Sequence, residues 1–275
     1  MAQKHLLILC HLILEKSRKN AGFQPRSILD QYIRVRTGTI GMYIRDRWFF
    51  KDSIEVEEKH TGRYGAPGEK RSPKRKATPE QIQKQNQWRR ERDLRRLIKA
   101  NFGKDDYWIT LTYRPAERPG SLEEAKKKFR SYIGKTRRKW KSRGYKLKYI
   151  VVTEIGSQGA VHHHLIVNRI PDGDKLLSEA WTCGRVNLQL MYERGDFKDL
   201  AEYMAKRQEG GKKEKRISRS RNLVVPQPER RPMRRKTWKR EPQVPKGYYL
   251  DKDSLVEGIN PVTGHRYRYY TLRRC

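Results

Sequence analysis

The sequence predicts an α+β fold in which helices pack on a small antiparallel sheet, and three observations support this prediction. Short runs rich in β-branched and aromatic residues alternate with longer runs in which apolar residues recur at helical spacing. Across residues 106–207 these runs follow the order β-α-β-β-α-β-α. The two middle strands are separated only by the turn Gly-Ser-Gln-Gly at residues 156–159, which is typical of an antiparallel hairpin.

The composition indicates a folded centre with irregular, basic flanks. Only 35% of the 275 residues are hydrophobic and another 35% are charged, which is lean for one compact core. We predict an N-terminal extension of unknown role at residues 1–41, short strands and a basic linker at 42–77, a central domain with a leading helix at 78–207, and a basic, proline-rich tail with a terminal hairpin at 208–275.

The leading helix is predicted to begin at the sequence Thr-Pro-Glu-Gln of residues 78–81. This sequence supplies an N-cap threonine, a proline at the first helical position and a glutamine that completes a capping box. The helix is expected to bury Leu94, Leu97, Ile98 and Phe102. Its outer face is expected to be solvated or to line a path for DNA, and it carries Arg89, Arg90, Arg92, Arg95 and Arg96.

The remaining elements are assigned in chain order from composition and turn signals. The predicted strands are residues 106–113, 148–155, 161–168 and 185–192, and the predicted helices are residues 121–143, 176–181 and 196–207. After residue 207 the chain is rich in Gly, Lys, Arg and Pro, so residues 208–245 are expected to be extended on a surface or disordered. Residues 248–271 regain turn signals and aromatic side chains, which predicts a small hairpin.

The charge balance narrows the class of partner. Lys and Arg number 65 against 31 Asp and Glu, a formal net charge of +34, and nucleic acid is the obvious polyanion to offset it. The alternative is a merely adhesive protein of a ribosome or membrane surface. Cys10, Cys183 and Cys275 form no CxxC pair, which predicts free thiols in a reducing compartment. The apolar run at residues 5–14 is too short to span a bilayer, and we expect a cytoplasmic protein with no membrane partner.

The predicted hairpin carries a candidate metal site. Because side chains of a strand alternate between faces, His162 and His164 point one way, about 7 Å apart, and His163 points the other way. Glu154 lies on the preceding strand and shares its face with apolar residues, an unusual place for a carboxylate unless a cation binds there. Such an ion would polarise a scissile phosphate. The alternative is a solvated histidine run on an edge strand.

A candidate nucleophile lies on the last predicted helix. Phe197, Leu200, Ala201 and Met204 recur at helical spacing and form its apolar stripe. Tyr203 falls beside that stripe, where a phenol can face a cleft, and Lys206 is its neighbour one turn further on. A tyrosine with an unperturbed pKa near 10 needs a nearby cation or base before it attacks phosphorus. Ordinary packing is the alternative interpretation of Tyr203.

Together these motifs resemble the HUH endonuclease superfamily, in particular rolling-circle replication initiators of Gram-positive bacterial plasmids, phages and integrated elements. The resemblance rests on ITLTY at residues 109–113, TEIG at 153–156, HHHLIV at 162–167 and YMAK at 203–206. His163 departs from the hydrophobic middle residue of the HUH motif. Position 207 is Arg and supplies no second tyrosine, which favours the single-tyrosine type.

The resemblance implies a ferredoxin-like endonuclease domain with Mg²⁺ or Mn²⁺ held by Glu154, His162 and His164. It implies that Tyr203, assisted by Lys206, nicks single-stranded DNA at an origin hairpin, keeps the 5′ phosphate as a phosphotyrosine and later rejoins the ends. No P-loop is present in the sequence, so a host or element-encoded helicase is expected to act in trans.

Other functions remain open at this stage. A transposase or a relaxase of the same superfamily would use the same chemistry on another substrate. A non-catalytic nucleic-acid-binding module of the same topology would place stacking aromatic residues on its sheet, where this sequence has His162, His164 and Glu154. The basic residues of 211–240 are expected to contact phosphate, and residues 265–270 are better explained as a strand with buried tyrosines than as a base-stacking segment.

Overall fold

The computed structural model describes residues 43–60, 76–156, 159–191, 197–206, 216–233, 241–260 and 264–275. Within these ranges the chain forms two five-stranded antiparallel sheets and four α-helices, which confirms the predicted α+β fold. The N-terminal extension at residues 1–41, with Cys10, lies outside the described residues. No described helix has both the length and the apolar character that crossing a membrane requires.

The first sheet, here called the site sheet, has the strand order β6-β3-β5-β4-β7. Its elements in chain order are β3 (Tyr107–Thr112), α2 (Leu122–Ser142), β4 (Tyr149–Ile155), β5 (Val161–Val167), α3 (Gly173–Ala180), β6 (Val186–Leu190), α4 (Lys198–Ala205) and β7 (Arg216–Arg219). The order from β3 to α4 is the predicted one. The four strands β6-β3-β5-β4 have the arrangement of a ferredoxin-like split βαβ unit.

Both faces of the site sheet are covered. Helices α2 and α3 pack on one face against Ile109, Val151 and Leu165. Helix α4 and the leading helix α1 (Pro79–Asn101) pack on the other face against Ile150, Val152 and Ile166. The stripe of α1 is buried as predicted, and it consists of Leu94, Leu97 and Ile98, followed by Phe102. Thr78 and Gln81 form the predicted capping box.

The second sheet, here called the flanking sheet, joins strands from both parts of the chain that flank the site sheet. Its order is β8-β1-β2-β10-β9. The strands are β1 (Tyr43–Phe49), β2 (Ser53–His60), β8 (Glu229–Pro232), β9 (Tyr248–Ile259) and β10 (Arg266–Arg274). Strand β10 pairs with β2 along its length, so the terminal hairpin is the second half of a sheet begun before α1. The sequence analysis did not predict this pairing.

Residues 208–245 contribute one strand to each sheet, a pairing that the expectation of an extended or disordered segment did not include. Strand β7 pairs with the edge of β4, and β8 pairs with the edge of β1. Each is only four residues long and basic, so its conformation is set by the partner strand and not by its own composition. Arg230 of β8 makes a bidentate pair with Asp46 at 2.6 and 2.9 Å, and the phosphate contact expected of the basic residues stays a prediction.

The arginine-rich face of α1 is not solvated along its whole length. Arg89 and Arg90 are exposed, but Arg96 is buried and its guanidinium contacts Glu55 at 2.8 Å and Glu57 at 2.7 Å on β2. Arg92, Arg95 and Lys99 add further ion pairs to the same two carboxylates. Helix α1 therefore contacts the site sheet through its apolar stripe and the flanking sheet through its cations.

Candidate metal and tyrosine site

Two histidines and one carboxylate meet at one end of the β4–β5 hairpin. The pairing of the strands places Glu154 opposite His162 and Val152 opposite His164, so all three site side chains share one face. Glu154 Oε1 lies 3.1 Å from His162 Nε2 and 2.9 Å from His164 Nε2. One ligand atom from each residue lies within 4.8 Å of the others. This group can hold a metal ion, because imidazole and carboxylate are both donors to divalent cations.

The backbone next to the site is shaped to receive the ring of His162. A Cβ added at Gly156 would lie 2.7 Å from His162 Cε1, closer than carbon atoms approach without a shift. Gly156 follows β4 directly and is the last residue of the TEIG sequence. The absence of a side chain at Gly156 therefore allows His162 to lie over the turn and to aim at Glu154.

His164 is fixed by two residues of β3 that the sequence analysis did not identify. Thr110 Oγ1 lies 3.1 Å from His164 Nδ1, and the ring of Trp108 stacks on the imidazole at 5.5 Å between centroids. A hydrogen bond at Nδ1 leaves Nε2 directed to the site, as is usual for histidine ligands. The register of β3 and β5 pairs Thr110 with His164, a relation between strands far apart in sequence. The alternation of side chains along one strand does not predict which residue of another strand lies opposite.

His163 faces away from the site, as the alternation of β5 predicts. Its ring is fully buried between Tyr113 and Thr153, whose hydroxyls lie 2.7 Å from Nε2 and Nδ1 respectively. Burial, together with the neighbouring His162 and His164, lowers the pKa of His163 to about 3. The middle histidine is thus a neutral core residue, and the HHH sequence contributes two candidate ligands and one structural imidazole.

Tyr203 brings its hydroxyl onto the same group of atoms. The hydroxyl donates to Glu154 Oε1 at 2.7 Å and lies 2.9 Å from His164 Nε2. The side chain is 41% exposed, so the phenol is at the rim of the core with access from solvent. Burial of the hydroxyl raises the pKa of Tyr203, and the hydrogen bond and negative charge of Glu154 raise it further. The structure thus unites Tyr203 with all three predicted ligands.

Helix α4, which carries Tyr203, packs against α1. The sequence analysis did not predict this contact. Ala201 and Met204 of α4 pack in the core that contains Leu97 and Ile98. Gln87 donates its amide to the backbone oxygen of Ala205 at 2.9 Å, which satisfies one of the carbonyls left open at the end of α4. These contacts fix the rotation of α4 about its axis and so the direction of Tyr203.

Lys206 lies at the end of α4 in the same cleft as Tyr203. Its backbone N–H donates to Glu202 at 2.9 Å, which closes the helix. Its side chain is exposed, so the ammonium is accessible to a ligand that enters the cleft. The predicted assistance of Tyr203 by Lys206 stays a prediction.

The site sheet, of ferredoxin-like topology, thus carries two histidines and one carboxylate that could hold a metal ion, next to a solvent-accessible tyrosine. Comparison of the chain with known protein families gives a match of residues 106–208 to a family described as replication-associated protein. The matched region holds Glu154, His162, His164, Tyr203 and Lys206, and it excludes α1 and the flanking sheet. No curated protein and no solved structure matches the chain.

Proposed function

We propose that this protein initiates rolling-circle replication by nicking and rejoining single-stranded DNA at an origin through Tyr203, in the manner of single-tyrosine HUH endonucleases. The observation that carries the proposal is the contact of the Tyr203 hydroxyl with both Glu154 and His164. A tyrosine on a helix is ordinarily a packing residue. Packing does not explain why the hydroxyl of a partly exposed phenol forms hydrogen bonds with two of the candidate metal ligands. The net charge of +34 and the match to a replication-associated family support a DNA substrate.

The donor set fits a divalent cation with open coordination positions. Two imidazole nitrogens and one carboxylate are fewer ligands than Mg²⁺ or Mn²⁺ takes, so positions remain for phosphate oxygens and water. The imidazoles favour Mn²⁺ intrinsically, and the abundance of Mg²⁺ in cells favours the other ion. A cation bound there supplies positive charge that polarises the scissile phosphate and offsets the charge of Glu154 near Tyr203.

The covalent step exchanges one phosphodiester for another. The Tyr203 oxygen attacks phosphorus and the bond from phosphorus to the 3′ oxygen breaks. The upstream part of the strand leaves with a 3′ hydroxyl, and the 5′ phosphate of the downstream part stays on Tyr203. The phenol, whose hydroxyl donates to Glu154 Oε1, gives up one proton and the departing 3′ oxygen takes up one from the surrounding water, so the exchange is balanced. The reverse reaction, in which a 3′ hydroxyl attacks the phosphotyrosine, rejoins the ends. We assign to Lys206, an exposed residue at the end of α4, the role of offsetting the charge of the phosphate.

The decisive experiment is a covalent-adduct assay. The protein is incubated with labelled single-stranded DNA from its own element and Mn²⁺, and the products are separated on a denaturing protein gel. We expect a labelled band at the mass of the protein, which disappears with a chelator and in Tyr203→Phe. The control is Tyr145→Phe, because Tyr145 is similarly exposed at 45% but lies outside the site.

Two other outcomes are informative. If Tyr203→Phe still forms the adduct, another nucleophile acts and the assignment of Tyr203 is wrong. If wild-type protein binds the DNA tightly, with no metal requirement and no adduct, the protein is a non-catalytic binding module. In the proposed function, strand separation ahead of the nick is left to a helicase supplied in trans.

A further inference from the structure

An exposed tryptophan lies in the cleft of Tyr203, on a helix outside the family match. Trp88 of α1 has 38% of its surface open to solvent. The residue before it, Gln87, donates a hydrogen bond from its side-chain amide to the backbone oxygen of Ala205 at the end of α4. Trp88, Tyr203 and Lys206 line one cleft with a volume of about 690 Å³. Trp88 and Tyr203 therefore border the same open space, and the candidate metal ligands Glu154, His162 and His164 are not among the residues that line it.

The ring of Trp88 is held in place from the side of the flanking sheet. The guanidinium of Arg92 lies over it at 4.3 Å, and the ring of Tyr269 on β10 contacts it with centroids 4.8 Å apart. Arg92 is in turn paired with Glu57 at 2.9 Å. A second cleft, of about 590 Å³, continues past Trp88 toward Tyr269, so the two spaces meet at this side chain. These contacts hold the indole in position while 38% of Trp88 stays exposed, and exposed aromatic surface can receive a second flat ring.

The charges of the Tyr203 cleft favour a nucleobase over a phosphate at this position. The cleft is lined by the carboxylates of Glu80, Glu91, Asp199 and Glu202 and by the amines of Lys84 and Lys206. Four carboxylates against two amines disfavour a phosphate beside Trp88, whereas a neutral base with a π face is attracted to tryptophan. Lys206, at the end of α4, is one of the two amines and is the phosphate contact of the proposed function. The described surface around Trp88 therefore accepts the base side of a single strand.

We propose that Trp88, supported by Arg92 and Tyr269, is a stacking platform for a base of the single strand that is presented to Tyr203. The proposal rests on the proposed function for the identity of the ligand, and it adds a substrate contact that lies outside the matched residues 106–208. It also gives the flanking sheet a role at the site, because Tyr269 belongs to that sheet.

The test measures the affinity of the full chain for fluorescent oligothymidylate of about 20 nucleotides at fixed salt, with a chelator present to prevent cleavage. Stacking tolerates any base, so the origin sequence is not needed. We expect Trp88→Ala to weaken binding about tenfold or more, and Trp88→Phe to retain most of the affinity because it keeps a ring. Ile82→Ala is the matched control, since Ile82 is an exposed apolar residue of α1 that does not line the cleft.

A second measurement locates the contact. Oligothymidylate containing 5-iododeoxyuridine is cross-linked to wild-type protein by light, and the attached peptides are identified by mass spectrometry. Attachment to the peptide of Trp88 or Tyr269 supports the platform. Attachment only elsewhere, or a Trp88→Ala protein that is folded by circular dichroism and binds as tightly as wild type, overturns it. The adduct assay separates the two proposals, because failure of the platform leaves the Tyr203 adduct of wild type intact.

Discussion

At the scale of single residues, the position of His162 depends on the missing side chain of Gly156. The site has no room for a methyl group there, since a Cβ at Gly156 would lie 2.7 Å from His162 Cε1. Something must shift to relieve such a contact, and we expect the ring of His162 to turn and move Nε2 away from Glu154. A methyl group added at Gly156 is therefore expected to displace the ring of His162 and to leave the core of the site sheet unchanged.

Gly156→Ala is accordingly expected to weaken the binding of Mn²⁺ at least about tenfold, comparable to the loss of a supporting contact at a metal site. Isothermal titration calorimetry of Mn²⁺ measures this change, and thermal unfolding shows that the fold persists. Gly134→Ala is the control, because a Cβ at Gly134 on α2 meets nothing within 4 Å. Equal Mn²⁺ affinity of wild type and Gly156→Ala would contradict the dependence of the His162 position on Gly156.

Whether a contact of the site could be predicted depends on how far apart its two residues are in the sequence. His162, His164 and Glu154 could be predicted because strand alternation and one turn bring them together. The hydrogen bond of Thr110 to His164 could not, because it depends on which strand lies beside β5. The positions of Trp88 and Gln87 beside α4 could not be predicted for the same reason, since they depend on the packing of α1 against α4. Local periodicity predicts the face on which a residue lies and not the partner opposite it.

At the scale of elements, α1 is attached to the flanking sheet by carboxylates that must stay ionised. Burial alone would raise the pKa of Glu55, but Arg95, Lys99 and Arg96 outweigh it and lower this pKa from 4.5 to about 2. The pKa of Glu57 is also lowered, by Arg96 and Arg92 against the effect of burial. A depressed carboxyl pKa stabilises the fold at every pH above the unfolded value and loses this contribution as pH falls toward the folded value.

The free energy of unfolding should therefore fall on acidification below about pH 4.5, with Glu55 contributing on the order of 3 kcal/mol at neutral pH. Urea unfolding of wild type and Glu55→Gln tests this prediction. We expect the difference between the two proteins to be large near neutral pH and to shrink steadily as the pH falls. Glu241→Gln removes an exposed carboxylate and should behave as wild type throughout. A difference that does not vary with pH would contradict the ion-pair interpretation.

The elements themselves were largely predictable where their pattern was long and regular. Helix α1 was predicted to begin at its capping box, and β4 and β5 were predicted around their turn. The four-residue strands β7 and β8 were not predicted, because their hydrogen bonds come from the edges of β4 and β1. The predicted solvation of Arg96 was wrong because the carboxylates that bury it lie on β2, across an intervening stretch of chain.

At the scale of the whole molecule, the region that matches the replication-associated family does not contain every element that covers the site sheet. Residues 106–208 lack α1, which covers Ile150, Val152 and Ile166 of the site sheet. Each fully buried apolar side chain of α1 contributes about 1.5–3 kcal/mol, and the whole stability of a domain is only about 5–15 kcal/mol. The stripe lost with α1 consists of four residues, Leu94, Leu97, Ile98 and Phe102.

A fragment of residues 106–208 is thus expected to lack cooperative unfolding and to bind a hydrophobic dye. A fragment of residues 76–233 retains α1 and β7, and we expect it to unfold in one transition. Circular dichroism during heating distinguishes the two fragments. If the shorter fragment unfolds as cooperatively and at as high a temperature as the longer one, α1 is dispensable for the fold.

The pairing of β2 with β10 has a consequence for the order in which the protein is completed on the ribosome. Synthesis proceeds from the amino end, so β1, β2, α1 and the whole of the site sheet up to β7 emerge before β10. The nascent chain therefore acquires Tyr203, Glu154, His162 and His164 while the edge of β2 that pairs with β10 is still open. A carboxy-terminal truncation that removes β10 would accordingly leave Tyr203 in place and take away the strand that carries Tyr269.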